Sequence, residues 1–272
     1  MPDFITADSF DIEKTNQYKL SIQVSLDGFS FLAVQPSEKK IVTCKSTPLN
    51  ISTDKLIARH LKEWLENDEF FRNDFQEVKI FIFTERFTII PDDCYSDEFS
   101  HEIVSVLFDL NDEYSVRKNK IEDCNSHLYF PVHNDINEVL QLFFPKMRWF
   151  HPVNAILQIP IQPGKRNNSV IITFAKNFYQ IVKRNNKLLL ANTFQVSHKN
   201  DLIYNVINTF QQLATARTET DLFIDGVFSD NSEITELLKP YFENISSLKT
   251  DELVINQEIT NNRLLLYLSQ IH

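Results

Sequence analysis

Residues 18–35, YKLSIQVSLDGFSFLAVQ, alternate apolar and polar positions on both sides of Asp27-Gly28. Leu20, Ile22 and Val24 interleave with Ser21, Gln23 and Ser25, the period of a strand with one buried face. Asp-Gly is a strong hairpin signal, and Phe29, Phe31 and Ala33 resume the alternation beyond it. A third strand is expected over Lys40 to Lys45, after the Pro-Ser-Glu-Lys turn. Thr53 or Asp54 then suits a helix N-cap. Leu56, Ile57, His60, Leu61, Trp64 and Leu65 follow at helical spacing, the mark of an amphipathic helix. Val78 to Phe83 is a continuous apolar run, the type buried on both faces of a sheet. Phe87 to Ile90 is expected to form its edge hairpin, marked by Pro91. The segment reads βββαβ.

The same order returns in the second half. Ser169 to Thr173 is strand-like and runs through FAKNFYQIVKRNN to a polar turn at Arg184, Asn185 and Asn186. Lys187 to Phe194 supplies a third strand, and Asn200 to Ala214 a helix with Leu202, Ile203, Val206, Ile207, Phe210 and Leu213 on its apolar face. Asp221 to Ile224 is the following buried strand, ending at Asp225-Gly226. Leu20 thus corresponds to Ile171, Asp54 to Asn200 and Val78 to Asp221, at similar offsets. Between the repeats, Glu113 to Pro131 reads as an extra hairpin and Asp135 to Phe144 as a helix closed by Pro145. Ser232 to Phe242 is expected to be a helix interrupted near Pro240, and Leu264 to Ile271 a final apolar element. These readings predict an α/β protein of two similar lobes. The first, 1–146, carries an inserted hairpin near 113–131, and the second is 147–272.

Length agrees with two domains, because a chain of 272 residues is long for one compact core. The composition is 43% hydrophobic and 24% charged, within the globular range. It holds 23 Phe but only 3 Gly. Backbones that wrap a phosphate closely need Gly, since a Cβ blocks the approach or forbids the required φ. Gly28, Gly164 and Gly226 stand far apart, so no Gly-rich phosphate loop or dinucleotide fingerprint is present. A net charge of −10 repels nucleic acid. The short basic stretches at Arg117, Lys118 and Lys120 and at Lys183, Arg184 and Lys187 read as solvated hairpin ends, not a binding footprint. No nucleic-acid partner is expected. No apolar stretch approaches the length needed to span a bilayer, so no membrane insertion is expected either. MPDFITADSFDIEK lacks the basic start and apolar run of an export signal. Cys44, Cys94 and Cys124 are odd in number and irregular in spacing, which argues against a disulfide framework. A cytoplasmic protein is the expectation, with the Asn-x-Ser matches at Asn50, Asn167 and Asn244 left unmodified.

Other constellations have plain structural readings. Cys124, His127 and His133 are loosely spaced like metal ligands, but Pro131 interrupts them and a fourth ligand is missing, so no metal is expected. Cys44 or Cys94 with His60 or His101 could form a nucleophilic pair, although an inert cysteine is the commoner case. The acidic run Asp92 to Glu98 fits the positive end of a helix dipole. Leu142 to Val153 gathers Phe143, Phe144, Met147, Trp149 and Phe150 around Arg148. Aromatics with Arg and Met have interface composition, and Phe144, Arg148, Trp149 and Phe150 are placed at a seam between the lobes.

Two consecutive βββαβ units resemble the duplicated ribonuclease-H-like lobes of the actin-like ATPase superfamily. That superfamily includes sugar kinases, heat-shock ATPases and the cytoplasmic assembly proteins of pili and type II secretion. LSIQVSLDGFSF, PVHNDINEVLQLFFPKMRWFHPV and NSVIITFAKNFYQIVKRNNKLLLANTF look like a bacterial family of uncharacterised proteins with that fold. The resemblance implies an Asp-x-Gly hairpin after the first strand of each lobe, the Asp for magnesium and the Gly for phosphate. Here those places read Gln23-Val24-Ser25 and Thr173-Phe174-Ala175, and an adenosine-side Gly-Gly becomes Asp225-Gly226. The resemblance therefore implies a non-catalytic binding or scaffold protein, a pseudo-ATPase without cofactor, whose partner is another protein. The alternative is an enzyme or nucleotide sensor with a remodelled inter-lobe cleft. Its candidate ligand contacts are Gln23, Ser25, Asp27, Gly28, Lys176, Asp225 and Gly226.

Overall fold

The structure is a computed structural model, and the residues it describes are 4–6, 10–38, 40–94, 96–158, 167–174, 177–184, 187–195, 198–226 and 232–247. The chain forms two compact units, the first reaching Ala155 and the second beginning at Ile156. In chain order the first unit contains β1 (Phe4–Thr6), β2 (Lys19–Ser25), β3 (Gly28–Gln35), β4 (Lys40–Pro48), α1 (Asp54–Glu66), β5 (Glu77–Ile82), β6 (Thr88–Pro91), α2 (Asp97–Leu107), β7 (Tyr114–Ile121), β8 (Ser126–His133), α3 (Asn134–Phe143) and β9 (Arg148–Phe150). A short helix α4 (Pro152–Leu157) runs across the division. The second unit contains β10 (Asn167–Phe174), β11 (Asn177–Arg184), β12 (Lys187–Gln195), α5 (Lys199–Gln212), β13 (Thr220–Gly226), α6 (Ser232–Leu238) and β14 (Asn244–Ser247).

The first unit is built on a six-stranded sheet in the order β1-β4-β3-β2-β5-β9. The alternation in β2 and β3 is realised as an antiparallel hairpin whose last pair is Ser25 with Gly28. Leu26 and Asp27 therefore form the two-residue turn, and Gly28 opens the next strand. The connection through α1 allows β5 to lie parallel to β2, with Leu20 beside Val78 and Ile22 beside Ile80. Thr53 Oγ1 caps α1 by accepting from the Leu56 N–H at 3.4 Å. Its buried positions are Ile57, Ala58, Leu61 and Leu65. The high Phe content becomes an aromatic core beneath this helix. Trp64 lies 5.5 Å from Phe29, 6.0 Å from Phe31 and 4.7 Å from Phe71 between ring centroids. Phe31 stacks on Phe70 at 4.8 Å.

Two expectations for this unit need correction. The 87–91 segment does not form a hairpin with β5; β6 pairs with β8 in a separate three-stranded sheet, β6-β8-β7. The chain is drawn away after β5 because the Thr84 carbonyl accepts from His151 Nε2 at 2.9 Å and Arg86 reaches Asp54 at 3.2 Å. The break expected after residue 146 falls later. β9 pairs in parallel with β5, Ile80 beside Trp149 and Phe81 beside Phe150, so 147–155 belongs with the first unit. A three-residue strand carries too little periodicity to reveal this from sequence.

The second unit is a five-stranded sheet in the order β12-β11-β10-β13-β14. β10, β11 and β12 form an antiparallel meander, and β13 runs parallel to β10 after the α5 crossover. The order β12-β11-β10-β13 repeats the order β4-β3-β2-β5 of the first unit, which is the duplicated βββαβ pattern. Phe178 and Val182 of β11 share a core with Leu202, Val206 and Phe210 of α5 and with Ile234 and Leu238 of α6. The final apolar element expected at Leu264 to Ile271 lies outside the described residues.

Gln180 stands between Phe178 and Val182 on that same strand face, wholly buried. Among the described residues neither end of its amide has a hydrogen-bond partner. A buried, unsatisfied amide is destabilising. Gln180→Met, which keeps the length and removes both polar atoms, should therefore raise the unfolding free energy by about 1–2 kcal/mol. Urea unfolding followed by circular dichroism measures this, and a less stable variant would show that the amide is satisfied in solution.

Candidate functional site

The end of the β2–β3 hairpin is where the resemblance puts the superfamily's phosphate loop, whose Asp and Gly this sequence lacks, and its polar atoms are committed locally. Gln23 and Ser25 are buried. Ser25 Oγ donates to the Gly28 carbonyl at 3.0 Å and accepts from the Asp27 N–H at 3.2 Å. The chain leaving β4 crosses over the turn: the Leu49 N–H donates to the Asp27 carbonyl at 2.9 Å and the Ile51 N–H to the Leu26 carbonyl at 2.8 Å. Gly28 has φ +125°, and a Cβ there would run into the Thr47 carbonyl oxygen and stand 2.8 Å from the Leu49 nitrogen. Its missing side chain is thus filled by the protein's own backbone.

In the second unit, Asp225 and Gly226 end β13, level with Ile172 and Thr173 of β10. They lie at the carboxyl end of parallel strands, the side on which open α/β sheets bind ligands. Phe174 pairs with Asn177 across the β10–β11 hairpin, and Lys176 within that turn lies outside the described residues. A shallow pocket in this unit is lined by Phe210, Thr215, Arg217, Pro240 and Tyr241, with the Arg217 guanidinium 5.3 Å from the Tyr241 ring centre. Thr220, which begins β13, donates to the Ala216 carbonyl in the adjoining loop. The pocket therefore sits at the amino end of β13, away from the ligand side of such sheets.

The aromatic segment is embedded in the first unit. Phe144 is buried within ring-contact distance of Phe71 and Phe75, and Phe150 stacks on Phe81 at 5.5 Å. Arg148 extends over the Phe150 ring and pairs with Glu77 at 3.0 Å. The Trp149 carbonyl accepts from Asn119 Nδ2 at 2.8 Å.

Two features had no signal in the sequence. Glu77 is met by three cations: Lys19 at 3.2 Å, Lys79 at 3.6 Å and Arg148 at 3.0 Å. Burial pushes its carboxyl up, yet Lys79, Lys19 and Arg148 together hold it below the usual carboxylate range. Burial lowers the Lys79 ammonium from its ordinary value, against the pull of Glu77. The second feature is His151, fully buried, with Phe87 at 4.6 Å and Phe130 at 5.5 Å between ring centres. Its Nε2 faces the Thr84 carbonyl at 2.9 Å and its Nδ1 accepts from the Val153 N–H at 3.2 Å. Lone residues inside apolar runs give no hint of such roles, because they depend on which strands meet.

The metal-like trio is dispersed. His127 and His133 occupy β8 six residues apart, roughly 20 Å along a strand. His127 Nδ1 lies 2.9 Å from Asp92, while His133 Nδ1 accepts from the Asp135 N–H. Among the described residues no group of three His, Cys, Asp or Glu side chains converges as a metal site. Cys44 is buried in β4, and none of the three cysteines is in a disulfide.

A family model for proteins of unknown function, DUF3822, matches residues 7–245. The chain belongs to that family. It is similar to a solved structure from Bacteroides thetaiotaomicron described as a protein with actin-like ATPase fold and unknown function. Identity is 21%, with 97% of this chain and 99% of that one covered, and the TM-score is 0.81. It is also similar to a structure of the PilM–PilN type IV pilus biogenesis complex, at 10% identity and a TM-score of 0.52, covering 92% of this chain and 97% of that one. A comparison with curated proteins finds no match. The family member therefore has an actin-like ATPase fold, each unit supplying one ribonuclease-H-like βββαβ sheet. Among the described residues no helix is long and apolar enough to cross a membrane.

Proposed function

We propose that this protein is a non-catalytic binding or scaffold protein, a pseudo-ATPase that keeps an actin-like fold and recognises another protein. One observation carries the reading: the space beside Gly28 is occupied by the backbone of residues 47–49. A phosphate loop needs open N–H groups and a glycine that lets phosphate approach. Here the Asp27 N–H is spent on Ser25 Oγ, and the turn carbonyls accept from Leu49 and Ile51 in the chain that leaves β4. Gln23, Val24 and Ser25 offer no carboxylate for magnesium at this point. A fold neighbour described as a PilM–PilN complex supports a protein partner. Three cysteines without a disulfide among them support a reducing, cytoplasmic setting.

The test is thermal unfolding of the full chain with ATP or ADP, each with and without magnesium. A ligand at a hundred times its dissociation constant stabilises a protein by ~2.7 kcal/mol, a readily measured shift. Unchanged midpoints are expected in all four conditions. A magnesium-dependent rise with either nucleotide would overturn the reading and favour a remodelled nucleotide site.

A further inference from the structure

We infer that the outer face of α2 docks a basic amphipathic helix of another protein, apolar along one side and flanked by Lys or Arg. The inference rests on the proposed role as a protein-binding scaffold and names the class of partner. The inner face of α2 is satisfied within the unit. Val104 is buried in a core with Ile90 of β6 and Tyr129 of β8, and Ile103 and Phe108 pack against it. The outer face is open to solvent. Phe99 is 57% exposed, Val106 83% and Leu107 57%, and among the described large hydrophobic residues Val106 is the most exposed. Phe99, Ile103 and Val106 stand at i, i+4 and i+7, with Leu107 at i+8. They form one continuous stripe, with the spacing of anchors between a helix and its partner. By contrast, α1 turns ion pairs outward, Arg59 with Glu63 and Lys62 with Glu66, as a helix facing water does.

Charge decides the occupant. From Phe87 to Val116 the sequence holds eight Asp and Glu and neither Lys nor Arg, in a chain whose net charge is −10. Glu102 is exposed one turn from both Phe99 and Val106, and Asp109 and Asp112 are exposed just beyond the helix. Asp109 has φ +49° at the position after the C-cap Phe108, a place usually taken by Gly or Asn. Its carboxylate also stands at the negative end of the helix dipole, an unfavourable arrangement. An apolar stripe beside such a negative field is complementary to a cationic amphipathic segment. The other occupants bring the wrong sign. A second copy would set carboxylates against carboxylates, and nucleic acids and bilayer surfaces are negative. The chain's own segment from 248 onward carries Lys249 and Arg263 against Asp251, Glu252 and Glu258.

The test is fluorescence anisotropy with the full chain and synthetic helical peptides of about five turns. One peptide has Leu on one face and Lys on the other, and a second replaces Lys by Glu. A third scrambles the Leu–Lys order so that no face is apolar. The Leu–Lys peptide should bind roughly tenfold or more tighter than either control, and more weakly as salt is added. Phe99→Ser combined with Val106→Ser should weaken it by roughly tenfold or more. Tyr204→Ser, which removes a similarly exposed aromatic from α5, should leave binding unchanged. Glu102→Lys should weaken the Leu–Lys peptide and strengthen the Leu–Glu one. Urea unfolding checks that the variants keep native stability, as changes at exposed side chains should.

Absence of binding, equal binding of the scrambled peptide, or binding indifferent to both α2 substitutions would overturn the assignment. So would a native dimer, or cosedimentation with phosphatidylglycerol vesicles, that the double variant abolishes. The nucleotide experiment judges the pseudo-ATPase reading separately. That reading stands if the midpoints stay unchanged although the peptide fails, and falls if magnesium and nucleotide raise them although the peptide binds.

Discussion

Gly28→Ala should lower the unfolding free energy by about 3–5 kcal/mol, the largest effect expected of any single methyl group in the first unit. Two costs combine. The backbone at residue 28 has φ +125°, a region that L side chains rarely adopt. The added Cβ also meets the Thr47 carbonyl and the Leu49 nitrogen, which are backbone atoms and cannot rotate aside. To relieve the clash, residues 47–51 must lift, breaking the hydrogen bonds from Leu49 and Ile51 into the turn. Leu26→Ala in the same turn is the control, since the Leu26 side chain is exposed and its carbonyl remains available to Ile51. It should change stability by less than about 1 kcal/mol. Urea unfolding of the three proteins measures both. The result also bears on function. A glycine kept only for phosphate approach would show the backbone cost alone and lose ligand binding, whereas a glycine filled by its own chain adds the clash with Thr47 and Leu49 to the loss of stability. A Gly28→Ala protein as stable as the native one would remove the main support for a pseudo-ATPase.

The same glycine marks how far sequence reading reaches. Alternation in β2 and β3, helical spacing in α1 and α5, and the recurrence of both in the second half were enough to expect duplicated βββαβ units, because these signals are local. From sequence Asp27-Gly28 reads as a turn pair, since Asp-Gly favours two-residue hairpins. The turn is in fact Leu26-Asp27, and Gly28 is demanded by a crossing segment some twenty positions away in sequence. The errors elsewhere have the same origin. The order along the chain suggests that β6 pairs with its predecessor β5, but it pairs with β8, and residues 148–150, expected in the second lobe, form β9 and extend the first sheet beside β5. Strand partners are chosen by tertiary packing, which one sequence does not display. Candidate site residues suffered most. The aromatic run at 144–150 has interface composition, yet Phe144 and Phe150 are consumed in the first unit's own core. The buried Lys79 with its Glu77 partner looked like an ordinary apolar strand with two charged interruptions.

His151 should make the first unit acid-sensitive well above the carboxylate range. Burial lowers its pKa from 6.5 to about 3, only partly opposed by the hydrogen bond with the Thr84 carbonyl. The neutral ring donates from Nε2 to Thr84 and accepts at Nδ1 from the Val153 N–H, so protonation would put a donor against a donor. The folded pKa lies below the unfolded one, so between about 3 and 6.5 the unfolded chain holds the extra proton. Stability from this residue is complete above pH 6.5 and falls as the pH drops towards 3, by about 1.4 kcal/mol per pH unit. In His151→Gln the replacement can still donate to Thr84 but does not titrate. The variant should be less stable than the native protein at pH 7.5, through poorer packing between Phe87 and Phe130. That deficit should shrink by about 1.4 kcal/mol for each unit of acidification below 6.5. Other titrating groups are common to both proteins and cancel in the difference. Urea unfolding of the pair at pH 7.5, 6, 5 and 4 measures the gap directly. A gap that stays constant would mean that His151 keeps its proton in the folded state. The ring would then have to release the Val153 N–H, and the knot tying β5, β8 and the start of α4 would be differently made.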